Sequence, residues 1–372
     1  MTSLFKKFFV WFCILFLIFY FGCDKEVTRP ETELKSPRDY VWTVDSLQYP
    51  ESIQTSMSHI WGSSPDDIYV IGHCDSQGGI MFHYNGKEWT DVNIRGTATG
   101  HKAIKGIWGS GAHDIWVVGR RDELREDKTP FYYVDVPFVL HFDGDSWKHM
   151  PLPGDEEGCL LAVWGRSATD VWAAGDSGMV WHYNGQDWSL DKLPKVQKVH
   201  SIGGTRSDVL LSTRHKYIGE EDPHPTYLDT IVCYVNSTDE WVEVDRQVFW
   251  ENTYTPKLGF WYSNFSLDLA LSFNIEIFQW TGDGWASFYT GPDDLTDFTI
   301  NGVHGTGENN IIAVGSPPQE MVVHYDGDTW EKLNLNIKQI DSISWFPDVW
   351  TDGRECFISG LGPGKTYIIH GK

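Results

Sequence analysis

Three stretches of this chain read almost as one sentence written three times, and that repeat limits the fold more than any other feature. Ile60-Trp61-Gly62-Ser63 leads to Asp67-Ile68-Tyr69-Val70-Ile71-Gly72, then to His83-Tyr84-Asn85-Gly86 and Trp89. Ile107-Trp108-Gly109-Ser110 leads to Asp114 and Gly119, then to His141-Phe142-Asp143-Gly144 and Trp147. Val163-Trp164-Gly165 leads to Asp170 and Gly175, then to His182-Tyr183-Asn184-Gly185 and Trp188. A further copy runs from Val303-His304-Gly305 through Gly315 to His324-Tyr325-Asp326-Gly327 and Trp330. Periodicity of this kind marks stacked units, none of which can bury its apolar face alone.

Two fixed distances recover the degraded copies. The acidic position and the glycine are 5 residues apart at Asp67/Gly72, Asp114/Gly119 and Asp170/Gly175, and again at Asn310/Gly315 and Glu355/Gly360. Asp208 and Asp268 keep the acid but have Thr213 and Phe273 where the glycine would stand. The histidine and the tryptophan are 6 apart at His83/Trp89, His141/Trp147, His182/Trp188 and His324/Trp330, matched by Gln279/Trp285. Tyr234 to Trp241 is 7, a one-residue insertion. The last copy reaches His370 and then lacks its tryptophan. Trp42 lies 25 residues before Asp67, just as Trp89 lies 25 before Asp114. The segment 40–47 is therefore expected to complete the last copy.

Each copy reads as four short strands, a to d, with a β-branched and aromatic strand b. The Asn-Gly and Asp-Gly pairs between strands c and d predict type I′ turns. The tryptophan that follows is expected to begin strand d and pack between neighbouring sheets. No helical period appears after residue 39. The expected fold is all-β: a seven-bladed β-propeller of four-stranded antiparallel blades over residues 40–372. Its ring is closed by an N-terminal strand, which leaves no open edge. On these motifs the chain resembles exported bacterial propellers of the kelch and BNR-repeat kind, a resemblance specific for fold and weak for function. The kelch Gly-Gly doublet is reduced to one glycine at Gly72, Gly119 and Gly175. The sialidase Asp-box needs a residue between its Asp and Gly, whereas Asp326 and Gly327 are adjacent, so a sialidase is not implied.

Lys6 and Lys7 precede an uncharged run of 15 residues, Phe8 to Gly22. A membrane-spanning helix needs about 20, so the run reads as a secretory signal. It ends Tyr20-Phe21-Gly22-Cys23, which resembles a bacterial lipoprotein signal. That resemblance implies a signal peptide over 1–22, a lipid on Cys23, a flexible tether over 23–39, and a periplasmic or cell-surface protein anchored to a membrane. An uncleaved signal anchor is the alternative. The net charge of −23, from 29 basic and 52 acidic residues, is the opposite of a nucleic-acid footprint. Aromatics at 15% exclude disorder for most of the chain. Cys74, Cys159, Cys233 and Cys356 are widely spaced without a CxxC, which favours buried thiols over zinc.

The repeated histidines and aspartates occupy equivalent places in different blades, so each is expected to bond within its own blade. The aspartates, which follow tight turns, are expected to cap backbone amides. Departures from the repeat are more informative. Gly119 to His141 spans 22 positions and Thr213 to Tyr234 spans 21, against 7 for Gly175 to His182. Both excesses fall between strands b and c, on one face, and flank blade 3, so a cleft is expected there. The candidate binding face comprises Arg120, Arg121, Glu123, Tyr132, Tyr133, His215, Tyr217, Glu220, Glu221, His224 and Tyr227. Charged and aromatic side chains in such loops suit a protein or a glycan partner. The sequence points to no catalytic residue, cofactor or metal. The expected function is a non-catalytic binding or scaffold module. The alternative is a glycan-active hydrolase or lyase using carboxylates among Glu123, Glu126, Glu220 and Glu221, a pair of which would have to stand about 5–5.5 or 6.5–9.5 Å apart. A quinone-dependent dehydrogenase is weaker, because the repeat itself explains the tryptophans.

Overall fold

A tryptophan opens the fourth strand of every blade: Trp42, Trp89, Trp147, Trp188, Trp241, Trp285 and Trp330. These strands belong to seven four-stranded antiparallel sheets in a computed structural model of the chain. The structure describes residues 35–372 apart from 77, 101, 126–131, 206–207, 218–227, 237–239, 250–256, 263–266, 274–275, 281–284, 291–298, 308 and 317–321, with only the backbone through much of blades 4 and 5. Blades 1 to 6 span residues 55–91, 102–149, 160–192, 196–249, 257–290 and 299–332. Blade 7 combines Trp345–Thr351, Cys356–Gly362 and Lys365–Gly371 with the N-terminal strand Trp42–Leu47. That strand pairs antiparallel from Trp42 opposite Gly371 to Leu47 opposite Thr366, so the ring is closed by the two ends of one chain. Each strand a contacts the strands a of both neighbouring blades, blade 7 against blade 1 included.

Two aromatic positions hold blades 1 to 4 against their neighbours. The strand-d tryptophan reaches back to the strand-b aromatic of the preceding blade. Trp147 meets Tyr69 at 6.1 Å, Trp188 meets Trp116 at 5.7 Å, and Trp241 meets Trp172 at 5.7 Å, all edge to face. Near the channel, the strand-a tryptophan lies on the strand-a glycine of the following blade. Trp350 covers Gly62, Trp61 covers Gly109, Trp108 covers Gly165 and Trp164 covers Gly204, and a Cβ on any of these glycines would collide with the ring. The repeated Trp-Gly pair is thus a packing requirement between units.

The histidines and acids form side-chain clips from strand c to strand b. His83 bonds Asp67 at 2.7 Å, His141 bonds Asp114 at 2.6 Å and His182 bonds Asp170 at 2.8 Å. His324 bonds Asn310 at 3.0 Å and His370 bonds Glu355 at 2.5 Å. Each of His83, His141, His182 and His370 also stacks on a strand-b aromatic, closest for Trp172 and His182 at 3.8 Å. The aspartates do not cap backbone amides as expected. Their second oxygen takes a side chain from a bulged strand-a residue: Ser63 on Asp67, Ser110 on Asp114 and Arg166 on Asp170. The bulge turns that residue toward the carboxylate.

The c–d turns also differ from the expected type. Asn85 pairs through its N–H with the Glu88 carbonyl, so the central residues are Gly86 and Lys87. Gly86 has φ +85° and Lys87 is not left-handed. That is the requirement of a II′ turn, with glycine at the first central position, rather than of I′. The Asn85 carboxamide caps the Lys87 and Glu88 amides, and Asp143, Asn184 and Asp326 repeat the arrangement. Cys74, Cys159 and Cys356 are buried and free.

Candidate binding face

Antiparallel alternation gives the ring two unlike faces. The a–b and c–d turns emerge on one, the turn face. The b–c connections and the d–a crossings emerge on the other, the loop face. The two insertions fall on the loop face, and their described residues are strand rather than loop. In blade 2 strand b extends over Asp114–Arg125 and strand c over Tyr132–Phe142, paired out to Arg125 opposite Tyr132. In blade 4 the strands Val209–Tyr217 and Leu228–Asn236 are paired out to Tyr217 opposite Leu228. Between them, blade 3 turns within Asp176-Ser177-Gly178.

The blade 2 hairpin carries the candidates Arg120, Arg121, Glu123, Tyr132 and Tyr133. His215 and Tyr217 lie on strand b of blade 4. Glu220, Glu221, His224 and Tyr227 lie outside the described residues, as do Cys23 and Glu126. The three described arginines of the hairpin are occupied. Arg120 pairs with Asp135 and Asp122, while Arg121 at 2.6 Å and Arg125 at 3.0 Å both bind Glu123. Glu123 is therefore a strut between two guanidiniums. Among the described residues, the hairpin exposes Leu124, Tyr132 and Tyr133, the last 70% exposed.

A cavity of about 470 Å³ opens between blades 1 and 2, at the foot of this hairpin. Gly78, Gly79, Asp91, Arg95, Lys102, Asp122 and Tyr133 contribute to its walls. Lys102 donates to the Ala98 carbonyl at 2.6 Å and the Arg95 carbonyl at 3.2 Å, tying down the crossing into blade 2. Burial, aided by Arg121, holds its ammonium below the usual lysine range. Arg95 bonds the Tyr49 hydroxyl and lies 5.7 Å from the centre of that ring. Asp91 accepts the Gly79 amide at 2.8 Å. Side chains at Gly78 or Gly79 would collide with Arg95 or Tyr49. Repeat spacing does not reveal this groove, because Tyr49 and Arg95 come from crossings that do not repeat and meet Lys102 at the start of strand a of blade 2.

The groove continues an apolar arc. Seven large hydrophobic residues are exposed among the described residues. Five of them stand on the loop face: Ile53 (83% exposed), Leu124, Tyr132, Tyr133 and Trp345. These five belong to three consecutive blades, 7, 1 and 2. Ile53 sits on the crossing into blade 1, its carbonyl against Gly364 of blade 7. Asp75 holds that crossing through Ser52 Oγ and the Ile53 and Gln54 amides, hydrogen bonds that keep its carboxyl below the usual range.

No family model matches the chain, and no curated protein sequence is similar to it. Solved propellers share its fold. YCF48 bound to a D1 peptide superposes with a TM-score of 0.55 at 12% identity, over 88% of this chain and 96% of that one. The extracellular domain of BT4673 from B. thetaiotaomicron, described as a hybrid two-component system, gives 0.57 at 11% identity, over 87% of this chain and 39% of that one. The β-propeller domain of Cps50 (Swd1) from Myceliophteria thermophila gives 0.54 at 10% identity, over 89% and 99%. At these identities the likeness is one of fold alone.

Proposed function

We propose that this chain is a non-catalytic, protein-binding propeller held at a membrane outside the cytoplasm, with a polypeptide partner seated on the loop face along blades 7, 1 and 2. The observation that carries the reading is the gathering of exposed apolar side chains on that arc beside an open groove. A solvated loop face has no use for Ile53 or Tyr133, whereas aromatic anchors next to a cavity are what a partner buries. The occupied arginines of the blade 2 hairpin then act as a rigid support for Leu124, Tyr132 and Tyr133. Two fold neighbours agree in kind: one is a propeller bound to a peptide and one is an extracellular domain.

The tether reading adds a direction. The chain joins the propeller on the turn face, where Arg38 binds Asp326 at 2.8 Å and the Thr329 carbonyl at 2.8 Å, and Tyr40 bonds the Gly353 carbonyl at 3.3 Å. A tether over 23–39 would therefore enter the propeller on its turn face. Acids such as Asp66, Asp145, Asp187 and Asp328 on the turn face would be repelled by anionic headgroups. Among the described residues no helix is long and apolar enough to cross a membrane; the run from Phe8 to Gly22 lies outside them.

The test is capture of envelope proteins on the intact chain and on two variants. One has residues 122–135 replaced by Asp-Ser-Gly, the turn of blade 3. The other combines Leu124→Ser with Tyr133→Ser. Loss of a specific partner from both, with an unchanged melt, is expected. Equal capture by all three proteins would remove the loop face from the account.

A further inference from the structure

The inner wall of the ring is poor in acids in a chain rich in them: its described lining holds one, Asp348. In five strands a the ladder skips one residue at the same place, leaving Ser58, Lys105, Leu161, His200 and Asn301 bulged. A bulge re-aims side chains out of the regular alternation. Except for Ser58, these residues line a channel of about 280 Å³, together with His59, Trp61, Trp108, Trp164 and Trp350. The volume equals about nine waters at ~30 Å³ each. It lies just under the range of about 300–1,000 Å³ typical of drug-sized ligands.

The described lining holds one lysine and one acid, and the two are engaged differently. Lys105 is exposed within it and makes no hydrogen bond or ion pair among the described residues. The one acid in the described lining, Asp348, is already engaged: its carboxylate accepts the Ile60 amide at 3.1 Å and the Val349 amide at 2.9 Å, and lies 3.9 Å from His59. Strand a of blade 5, Lys257–Tyr262, has no acid in its sequence. The rest of the wall is aromatic and aliphatic, including Val163, Ile202 and Val303.

We propose that the channel binds a small amphipathic monocarboxylate, its apolar body against the strand-a tryptophans and its anionic group on Lys105. Among the described lining residues Lys105 is the one lysine or arginine, which matches one negative charge, and an ionised acceptor makes the stronger hydrogen bond. The aromatic walls favour a ring or a branched chain over a polyanion. The site is independent of the partner on the loop face, and its test uses no partner.

The test is titration of the purified chain with phenylacetate and indole-3-acetate, read by tryptophan fluorescence and calorimetry. Phenylacetamide serves as the neutral isostere and inorganic phosphate as the second anion. The expected result is saturable carboxylate binding, weakened at least tenfold for the amide and for phosphate. Lys105→Met should weaken carboxylate binding at least tenfold with an unchanged melt, and Lys105→Arg should keep it within about threefold. Ala162→Leu, which fills the channel without touching charge, should abolish it. No carboxylate binding at millimolar concentration, equal binding of the amide or phosphate, or equal binding by Lys105→Met would each overturn the proposal.

Discussion

The turn face and the loop face are made by the same strands, yet they differ in how completely their side chains are used. On the turn face, Asp114 serves His141, Ser110 and Trp116 at once, and the arrangement recurs from blade to blade. On the loop face, the described b–c connections differ from blade to blade. Blade 3 turns in three residues, blade 2 sends out a paired hairpin, and the exposed apolar residues sit on blades 7, 1 and 2. The difference teaches that, in a closed ring, repeated chemistry is structural and the breaks in the repeat are where selection had room to build a surface.

The largest effect should come from breaking the seam that both faces depend on. Deleting residues 35–47 removes the fourth strand of blade 7 and opens the ring beside Cys356–Gly362 and Lys365–Gly371. We expect loss of the cooperative melt in circular dichroism; a chain that still melts as sharply would show that the N-terminal strand is not the closure.

Next come the clips. Burial alone would push the Asp114 carboxyl up, but the hydrogen bonds from His141, Ser110 and Trp116 outweigh it and hold it below the usual range. Asp114→Ala strands those donors and should cost about 2–3 kcal/mol, read as a lower denaturant midpoint, with partner capture unaffected. Loss of capture at unchanged stability would contradict the division between the faces.

A milder effect follows from acid. Burial pushes the His324 imidazole down to about 4, and its Nδ1 has no partner among the described residues. His304 is pushed down to about 4 by burial as well, and its Nδ1 accepts the Thr351 amide at 3.2 Å. Between about 6.5, where an unfolded histidine charges, and about 4, the unfolded chain binds more protons than the folded one. Stability should therefore fall as pH drops through that window, by about 1–3 kcal/mol per buried histidine. The lowered carboxyls of Asp114 and Asp170 add a further loss below it. Melts from pH 7.5 to 4 check this, and His324→Gln should reduce the slope. A flat profile would mean that these histidines are not buried as neutral groups.

The smallest structural effect is expected at Tyr133→Ser: a change in stability within about 0.5 kcal/mol, with partner capture at least tenfold weaker. A large loss of stability would make Tyr133 part of the packing and sharpen the boundary of the surface.

Legibility in the sequence follows the same division. Seven blades, the strand-d tryptophans and the closing strand could be read because each needs one residue type at one distance. The c–d turn type was misread because Asn85-Gly86 looks like a central pair, while the asparagine in fact stands one place earlier and caps amides. The role of Asp114 was misread because its partners, Ser110 and His141, come from two different strands. The blade 2 insertion was visible as extra length, but its pairing out to Arg125 was not. The groove was invisible, because Tyr49, Arg95 and Lys102 meet only once the crossings fold over the sheet.

The account rests on one face of the ring being the working one, and site-specific crosslinking tests that most directly. A photo-reactive phenylalanine is placed at Tyr133 on the loop face, or at Gln186 in a turn on the other, and the cell envelope is irradiated. The account predicts a discrete crosslinked protein from position 133 and none from 186; a product from 186 alone, or the same product from both, would contradict it.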